Sequence, residues 1–398
     1  MSLNASNIPV IVSAVRTPIG KYGKSLKSFS APKLGSMVIK DILAKNDINK
    51  ELIDEVIMGQ VLQAGSGQAP ARQAALYAGL PYEVSAVTIN KVCGSGMKAI
   101  MFGAQAIKAG DAQIIIAGGQ ESMSNTPYYL PNARFGYTYG SGELLDGVEF
   151  DGLLDPYNNI LMGLTGEIVA EKYNVTRAQA DEYAYRSHQL AIKAQKSDLF
   201  ANEIVPITLK EKKGKEKILD VDEGPREDTS VEKLSKLKPA FKKEGIVTAG
   251  NASSLNDGAS AVLMMSLEMA NELHLQPLVK INSYNTVGVK PENVMEAPII
   301  GVRKLLEKNN MKIDEIDLVE HNEAFASASV AVRSELNISD DIFNVKGGAV
   351  SLGHPLGCSG ARILTTLIHE LIRREKDKGL ATICLGGGNA VSMIIERI

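Results

Sequence analysis

The sequence predicts an α/β protein: two duplicated, mostly parallel α/β halves with an inserted loop domain between them. Three observations lead there. Short, near-continuous apolar runs alternate with stretches of about 12 residues at helical spacing. The order of these units in the first part of the chain is echoed in the last part. Between them, residues 122–250 have a different texture, rich in Pro, Tyr, Asn and Gly at the start and heavily charged towards the end.

Taken in order, Pro9–Val15 reads as a first strand, Leu34–Leu43 as a helix and Ile53–Gly59 as a second strand. Ala86–Ile89 is a strand end, Met97–Ile107 a helix and Ala112–Gly119 a strand leaving through two glycines. The runs do not alternate polar with apolar, as expected where both faces of a sheet are covered. The echo begins at Pro277–Ile281, continues through a helix at Pro298–Leu306 and a strand at Ile316–Asn322, and ends at Ala381–Gly388. Inside the insertion, Thr176 and Gln179 form a capping box opening a helix. The mixed charges of Lys210–Lys217 and Asp220–Lys243 read as a solvated face; the sharper alternative is that some of these cations meet a phosphorylated substrate over a cleft. The expected division is 1–121 with 251–273 for the first half, 122–250 for the insertion and 274–398 for the second half. If an approximate two-fold axis relates the halves, their strand ends share one cleft.

At 398 residues the chain is long enough for roughly two or three domains. A net charge of −3 gives no basic field for nucleic acid or an anionic membrane. No apolar run approaches the roughly 18 residues of a membrane span, and no cationic leader pattern surrounds the opening apolar run. Three cysteines, an odd number, point to free thiols in a reducing compartment and a cytoplasmic location.

Cys93 stands in Asn90-Lys91-Val92-Cys93-Gly94-Ser95-Gly96, between a strand and a helix, where unpaired N–H groups and the helix dipole favour a thiolate. His354 lies in Gly353-His354-Pro355, a tight loop in which glycine permits close backbone approach, and is the best candidate base. Cys384 ends a strand before three glycines whose N–H groups could face a reacting carbonyl. Cys358 reads as a packing residue; His188, His274 and His369 read as solvated helix residues. Two thiols and an imidazole suit acyl transfer between thioesters coupled to carbon–carbon bond making or breaking, with one thiol as nucleophile and the other moving an α-proton. Without Cys-x-x-Cys or paired metal-ligand spacing, dithiol redox chemistry and zinc are disfavoured.

Five blocks in this order, Asn90–Gly96, Gly118–Ser124, Asn322–Ala326, Gly353–Pro355 and Cys384–Gly388, resemble the signature segments of thiolases, and the resemblance runs from about residue 8 to the C-terminus. It implies a thiolase-like fold and the reversible condensation of two acetyl-CoA to acetoacetyl-CoA and CoA through an acetyl-cysteine. By that resemblance Cys93 is the nucleophile and His354 its base. Asn322 holds a water that forms one oxyanion hole with His354. Cys384 exchanges the α-proton, and the N–H groups of Cys93 and Gly386 form the other hole. Arg226 would lie near the nucleotide end of coenzyme A, Ser253 and Met162 along the pantetheine, and Phe325 in the acyl-pocket wall. It implies coenzyme A thioesters as substrates with no further cofactor and no metal, and a homo-oligomer, a dimer or more often a tetramer, region 126–150 matching the part that joins dimers in tetrameric members. Leu161 stands where the biosynthetic branch usually has His, and Asn389-Ala390 where Met-Gly is usual. The alternatives are a degradative 3-ketoacyl-CoA thiolase for longer chains, a non-catalytic acyl-CoA binder, and a decarboxylating ketoacyl synthase, which would carry a second His in place of Cys384.

Overall fold

The uninterrupted apolar run at the start forms β1 (Pro9–Arg16), buried along its whole length. The computed structural model to which it belongs describes residues 8–210 and 214–398. The first half continues with α1 (Ala31–Asn46), β2 (Glu55–Gly59), α2 (Pro70–Tyr77), β3 (Ser85–Ile89), α3 (Ser95–Ala109) and β4 (Ile114–Ser122). The insertion supplies α4 (Met162–Lys172), α5 (Arg177–Lys196) and short two-stranded hairpins. The chain then returns through β5 (Asn256–Ser266), β6 (Val279–Gly288), α6 (Ala297–Lys308), β7 (Leu318–His321), α7 (Ala326–Glu335), α8 (Leu356–Arg373), β8 (Lys378–Leu385) and β9 (Asn389–Arg397).

These strands run in one hydrogen-bonded order, β3-β2-β4-β5-β1-β6-β9-β8-β7. The order is nearly palindromic: β1, β5, β4 and β2 of the first half correspond to β6, β9, β8 and β7 of the second. The halves meet where β1 and β6 pair, Val10 with Lys280 and Ile11 with Val279. Parallel pairing, expected for most of each half, is confined to β2–β3, β2–β4 and β7–β8 at the wings. The inner pairs are antiparallel. The reason is visible at Gly386–Gly388, a tight turn that can join only antiparallel neighbours, β8 and β9. In the first half the corresponding β4–β5 connection carries the whole insertion.

Helices α1 and α2 cover the outer face of the first half, and α6 and α7, with α4 and α5, cover the second. Between the halves lie α3 and α8, whose apolar residues pack against strands of both. They cross closely because glycines face one another. A Cβ on Gly96 would come within 2.9 Å of Gly357 O, and one on Gly360 within 2.7 Å of Met97 N. This crossing brings the two helix N-termini side by side, and with them Cys93 and His354.

The capping box at the start of α5 is present: the Gln179 N–H donates to Thr176 Oγ1 at 3.3 Å, and the Thr176 N–H to Gln179 Oε1 at 2.8 Å. Of the charged run, Glu211, Lys212 and Lys213 lie outside the described residues; Lys215, Glu216 and Lys217 are exposed, as a solvated face requires.

A buried ion network ties the insertion to both halves. Arg16 of β1 donates from Nε to Glu203 Oε1 at 2.6 Å and from Nη1 and Nη2 to Asp222 at 2.6 and 2.9 Å. Lys346 Nζ reaches the other Glu203 oxygen at 3.1 Å. Burial alone would raise the Glu203 carboxyl, but Lys346 and Arg16 hold it down at about 2. Removing the guanidinium leaves Asp222 buried without its cation and Glu203 with Lys346 alone, so Arg16→Met is expected to destabilise the chain by about 3–5 kcal/mol in equilibrium unfolding. The Glu203 contribution has the sign of a depressed acid: it is fully present above its ordinary value of 4.5 and is lost as pH falls through about 2.

Candidate active site

Cys93 follows a turn built by its neighbours. Asn90 Oδ1 accepts the Val92 N–H at 2.9 Å, while Ser95 Oγ accepts the Lys91 N–H at 2.8 Å and donates to Val92 O at 2.6 Å. Together they hold Val92 at φ 46°, a left-handed conformation that a β-branched residue rarely adopts and that carries a strain of about 1–3 kcal/mol. The turn presents the Cys93 sulfur to a cavity, with the N–H groups of Gly386 and of Cys93 itself directed at it. Burial nevertheless pushes this thiol up to about 12, and Glu121 adds to the rise. The thiolate expected from the helix start is therefore not the resting form: desolvation by apolar walls outweighs the two N–H groups directed at the sulfur, and deprotonation needs a base.

The candidate base, His354, is placed by Gly353, whose φ of 113° and lack of a Cβ let Asn256 approach; a Cβ there would lie 2.4 Å from the Asn256 side chain. Asn256 Oδ1 accepts the His354 N–H at 2.9 Å. His354 Nδ1 lies 2.6 Å from Ser359 Oγ, and that hydroxyl donates to Pro355 O at 2.9 Å. With the serine hydrogen committed to Pro355, the network assigns the proton to Nδ1 and leaves a lone pair on Nε2. Burial, and secondarily the Arg362 cation, push the imidazole down to about 3, so it is neutral at rest. Asn322, fully buried just beyond β7, places Nδ2 3.5 Å from His354 Nε2. Its Oδ1 is buried with no partner among the described residues.

Cys384, near the end of β8, is 2% exposed, and its sulfur is 3.7 Å from Met295 Sδ. Burial and the neighbouring Cys93 push its thiol well above the ordinary range. Cys93, His354, Cys384 and Gly386 line one cavity of about 470 Å³, whose wall includes Met162, Ser253 and Phe325. Phe325 is held edge-on to Phe241, centroids 6.4 Å apart. Leu161 also lines it, placing an apolar side chain in the wall. Arg226 is not in this cavity. It lines an adjoining one of about 280 Å³ with Lys21, Lys24 and His188, and the two share Ala249, Ala252, Ser254 and Leu255 as a common wall.

Two histidines differ from their reading as solvated. His188 is 5% exposed and accepts the Arg226 N–H on Nδ1 at 3.2 Å; burial, then Arg226 and Lys21, push it down to about 4. His369 is half-buried and its Nε2 lies 2.8 Å from Ala14 O. Both sit on inward faces of helices that carry charged residues on their other side, which hid them. Cys358, 1% exposed with its thiol pushed up to about 12 by burial, is placed as a packing residue would be. Among the described residues no cluster of His, Cys, Asp and Glu could hold a metal ion, and no helix is long and apolar enough to cross a membrane.

Comparison with known families decides the lineage. The thiolase N-terminal domain matches residues 9–268 and the thiolase C-terminal domain residues 275–397. The chain belongs to the thiolase family. Among similar thiolases, the acetyl-CoA acetyltransferase of Pseudomonas aeruginosa is 51% identical over 98% of this chain and 99% of the relative. A probable acetyl-CoA acyltransferase of Staphylococcus aureus is 46% identical over 98% of each. The crystal structure of the Bacillus anthracis acetyl-CoA acetyltransferase superposes with a TM-score of 0.96 at 45% identity, covering 99% of this thiolase and 100% of that chain.

Proposed function

We propose that this thiolase interconverts two acetyl-CoA with acetoacetyl-CoA and CoA. The observation that carries the reading is the convergence of two thiols, a neutral imidazole and the Gly386 N–H on one cavity, in a chain about half identical to named acetyl-CoA acetyltransferases over its length.

In this reading Cys93 is the catalytic nucleophile. As its sulfur attacks the acetyl-CoA carbonyl, its proton passes to His354 Nε2, and charge develops on a carbonyl oxygen facing the Cys93 and Gly386 N–H groups. Coenzyme A leaves as a thiolate and takes a proton from Cys384, which becomes the base for the next step. A second acetyl-CoA then loses an α-proton to Cys384. Its enolate oxygen is stabilised by the His354 imidazolium and by a water held at Asn322 Oδ1. The enolate carbon attacks acetyl-Cys93, acetoacetyl-CoA departs, and the imidazolium returns its proton to Cys93. Both thiols and the imidazole end as they began. Thioester is exchanged for thioester in the first step, so the acetyl transfer is freely reversible.

Arg226, with Lys21 and Lys24, supplies cations for the phosphates of coenzyme A, and Ser253 and Met162 flank the pantetheine. No other cofactor and no metal enters the reaction. The insertion 122–250 covers the cleft formed by the two halves. We further read the protein as a cytoplasmic homotetramer, supported by the aromatic surface of region 126–150, where Phe135 is 90% exposed. Mass spectrometry after mixing with acetyl-CoA is expected to find an acetyl adduct on Cys93; an adduct on Cys358 instead overturns the assignment. The apolar Leu161 also suits the alternative of longer chains. Thiolysis measured against chain length separates the two: kcat/KM is expected to peak at the four-carbon substrate, and a rise beyond it favours the degradative reading.

A further inference from the structure

One buried carboxylate is hydrogen-bonded to a segment that packs near Cys93 and to the helix start that follows His354. Glu121, at the end of β4, is wholly buried and accepts three backbone N–H groups. Oε2 takes those of Val61 at 3.0 Å and Gly357 at 2.9 Å, and Oε1 takes that of Leu62 at 3.2 Å. Val61 and Leu62 follow β2 and pack with Leu356 into the apolar cluster on which Cys93 rests. Gly357 lies in the first turn of α8, between His354 and the Ser359 that fixes its tautomer. That helix has no side-chain cap of its own, its N-cap being Pro355. A residue 236 positions away thus supplies the acceptor that the helix start lacks.

We propose that Glu121 is a positioning residue: by holding the Val61–Leu62 backbone and the Gly357 N–H on one carboxylate, it sets the line between Cys93 Sγ and His354 Nε2 along which the proton moves. The inference rests on the Cys93–His354 reading above. The three N–H donors favour the ionised form, in which both oxygens act only as acceptors. The groups facing Glu121 are the Asp257 carboxyl of β5, the Cys93 thiol and the Cys358 thiol of α8. Burial, opposed by the three N–H groups, leaves the Glu121 carboxyl at about 7. Its protonation as pH falls through that value costs an acceptor and loosens the alignment.

The test is Glu121→Gln, a side chain of the same shape that turns a donor towards N–H groups. The rate of Cys93 acetylation by acetyl-CoA is expected to fall about 10–100-fold, the scale for a small misalignment of reacting groups. KM should change less than about threefold, since Glu121 lies outside the coenzyme A cleft. The wild-type rate should decline as pH falls through about 7, and the variant should lack that limb. An unchanged acetylation rate overturns the proposal, as does a lower rate that keeps the wild-type limb. If the variant does not fold, the wild-type profile still decides: no decline in acetylation between about pH 8 and 6, with the fold intact, overturns it. The Cys93 adduct in the wild-type protein tests the underlying reading separately, so failure of one is distinguishable from failure of the other.

Discussion

Cys93→Ala is expected to abolish turnover in both directions, by on the order of 10⁴-fold or more, and to leave no acetyl adduct on the protein. The magnitude follows from the lack of a substitute nucleophile at the site. Cys384 is the other thiol in the cavity, but the N–H groups of Cys93 and Gly386 converge on the Cys93 sulfur. Acyl transfer to Cys384 would therefore forgo the donors that stabilise the oxyanion, a loss worth about 10²–10³ for even one such group. Cys358 is packed away and 1% exposed. The side chain removed is small and half-buried, so the fold should survive and the cleft should still take up coenzyme A. The check is thiolysis of acetoacetyl-CoA alongside equilibrium binding of CoA. Residual activity above about 1% of wild type would place the nucleophile elsewhere.

The ionisation of Cys93 also shows what local sequence conveys and what it does not. The strand, the turn and the helix around it were legible because each depends on neighbours: apolar Ala86–Ile89, the Asn90 and Ser95 hydrogen bonds, and the helical run after Gly96. The duplication was legible for the same reason, and the sheet order reproduces it. The resting protonation state was not, because the walls that desolvate the sulfur come from residues far away in the chain, among them Leu356 and Leu62. Pairing direction failed similarly. A tight glycine turn at 386–388 implies an antiparallel neighbour, but the insertion conceals the equivalent turn of the first half, so both halves read as parallel repeats. Glu121 stood in a recognised block, yet its role depends on N–H groups of Val61, Leu62 and Gly357, and no spacing along the chain discloses that meeting. His188 was hidden by charged neighbours on its own helix; the signal that could have found it is the α5 face it shares with the buried Ala184 and Ala191.

Replacing Cys384 by alanine separates the two halves of the reaction. Acetylation of Cys93 is expected to persist within about tenfold of wild type, while condensation falls by on the order of 10⁴-fold or more. The asymmetry comes from the acids involved. On the proposed mechanism, Cys384 does no more in acetylation than hand a proton to a departing thiolate, which is stable enough to leave unprotonated near its ordinary pKa of about 8.5. In condensation the proton comes from carbon beside a thioester carbonyl, a far weaker acid than any side chain, and it must be removed by a base held at the α-carbon. On the proposed mechanism His354 does not substitute, because its Nε2, 3.5 Å from Asn322 Nδ2, would be engaged with the carbonyl oxygen of the same substrate. The alanine variant should therefore accumulate acetyl-Cys93 on mixing with acetyl-CoA and release one equivalent of CoA per site, with no acetoacetyl-CoA following. Exchange of the acetyl-CoA methyl protons with deuterium from solvent gives the independent readout: the wild-type protein should catalyse it and the variant should not. Retained exchange in the variant would move the α-proton to another group, and loss of acetylation in parallel would make Cys384 part of the first step as well.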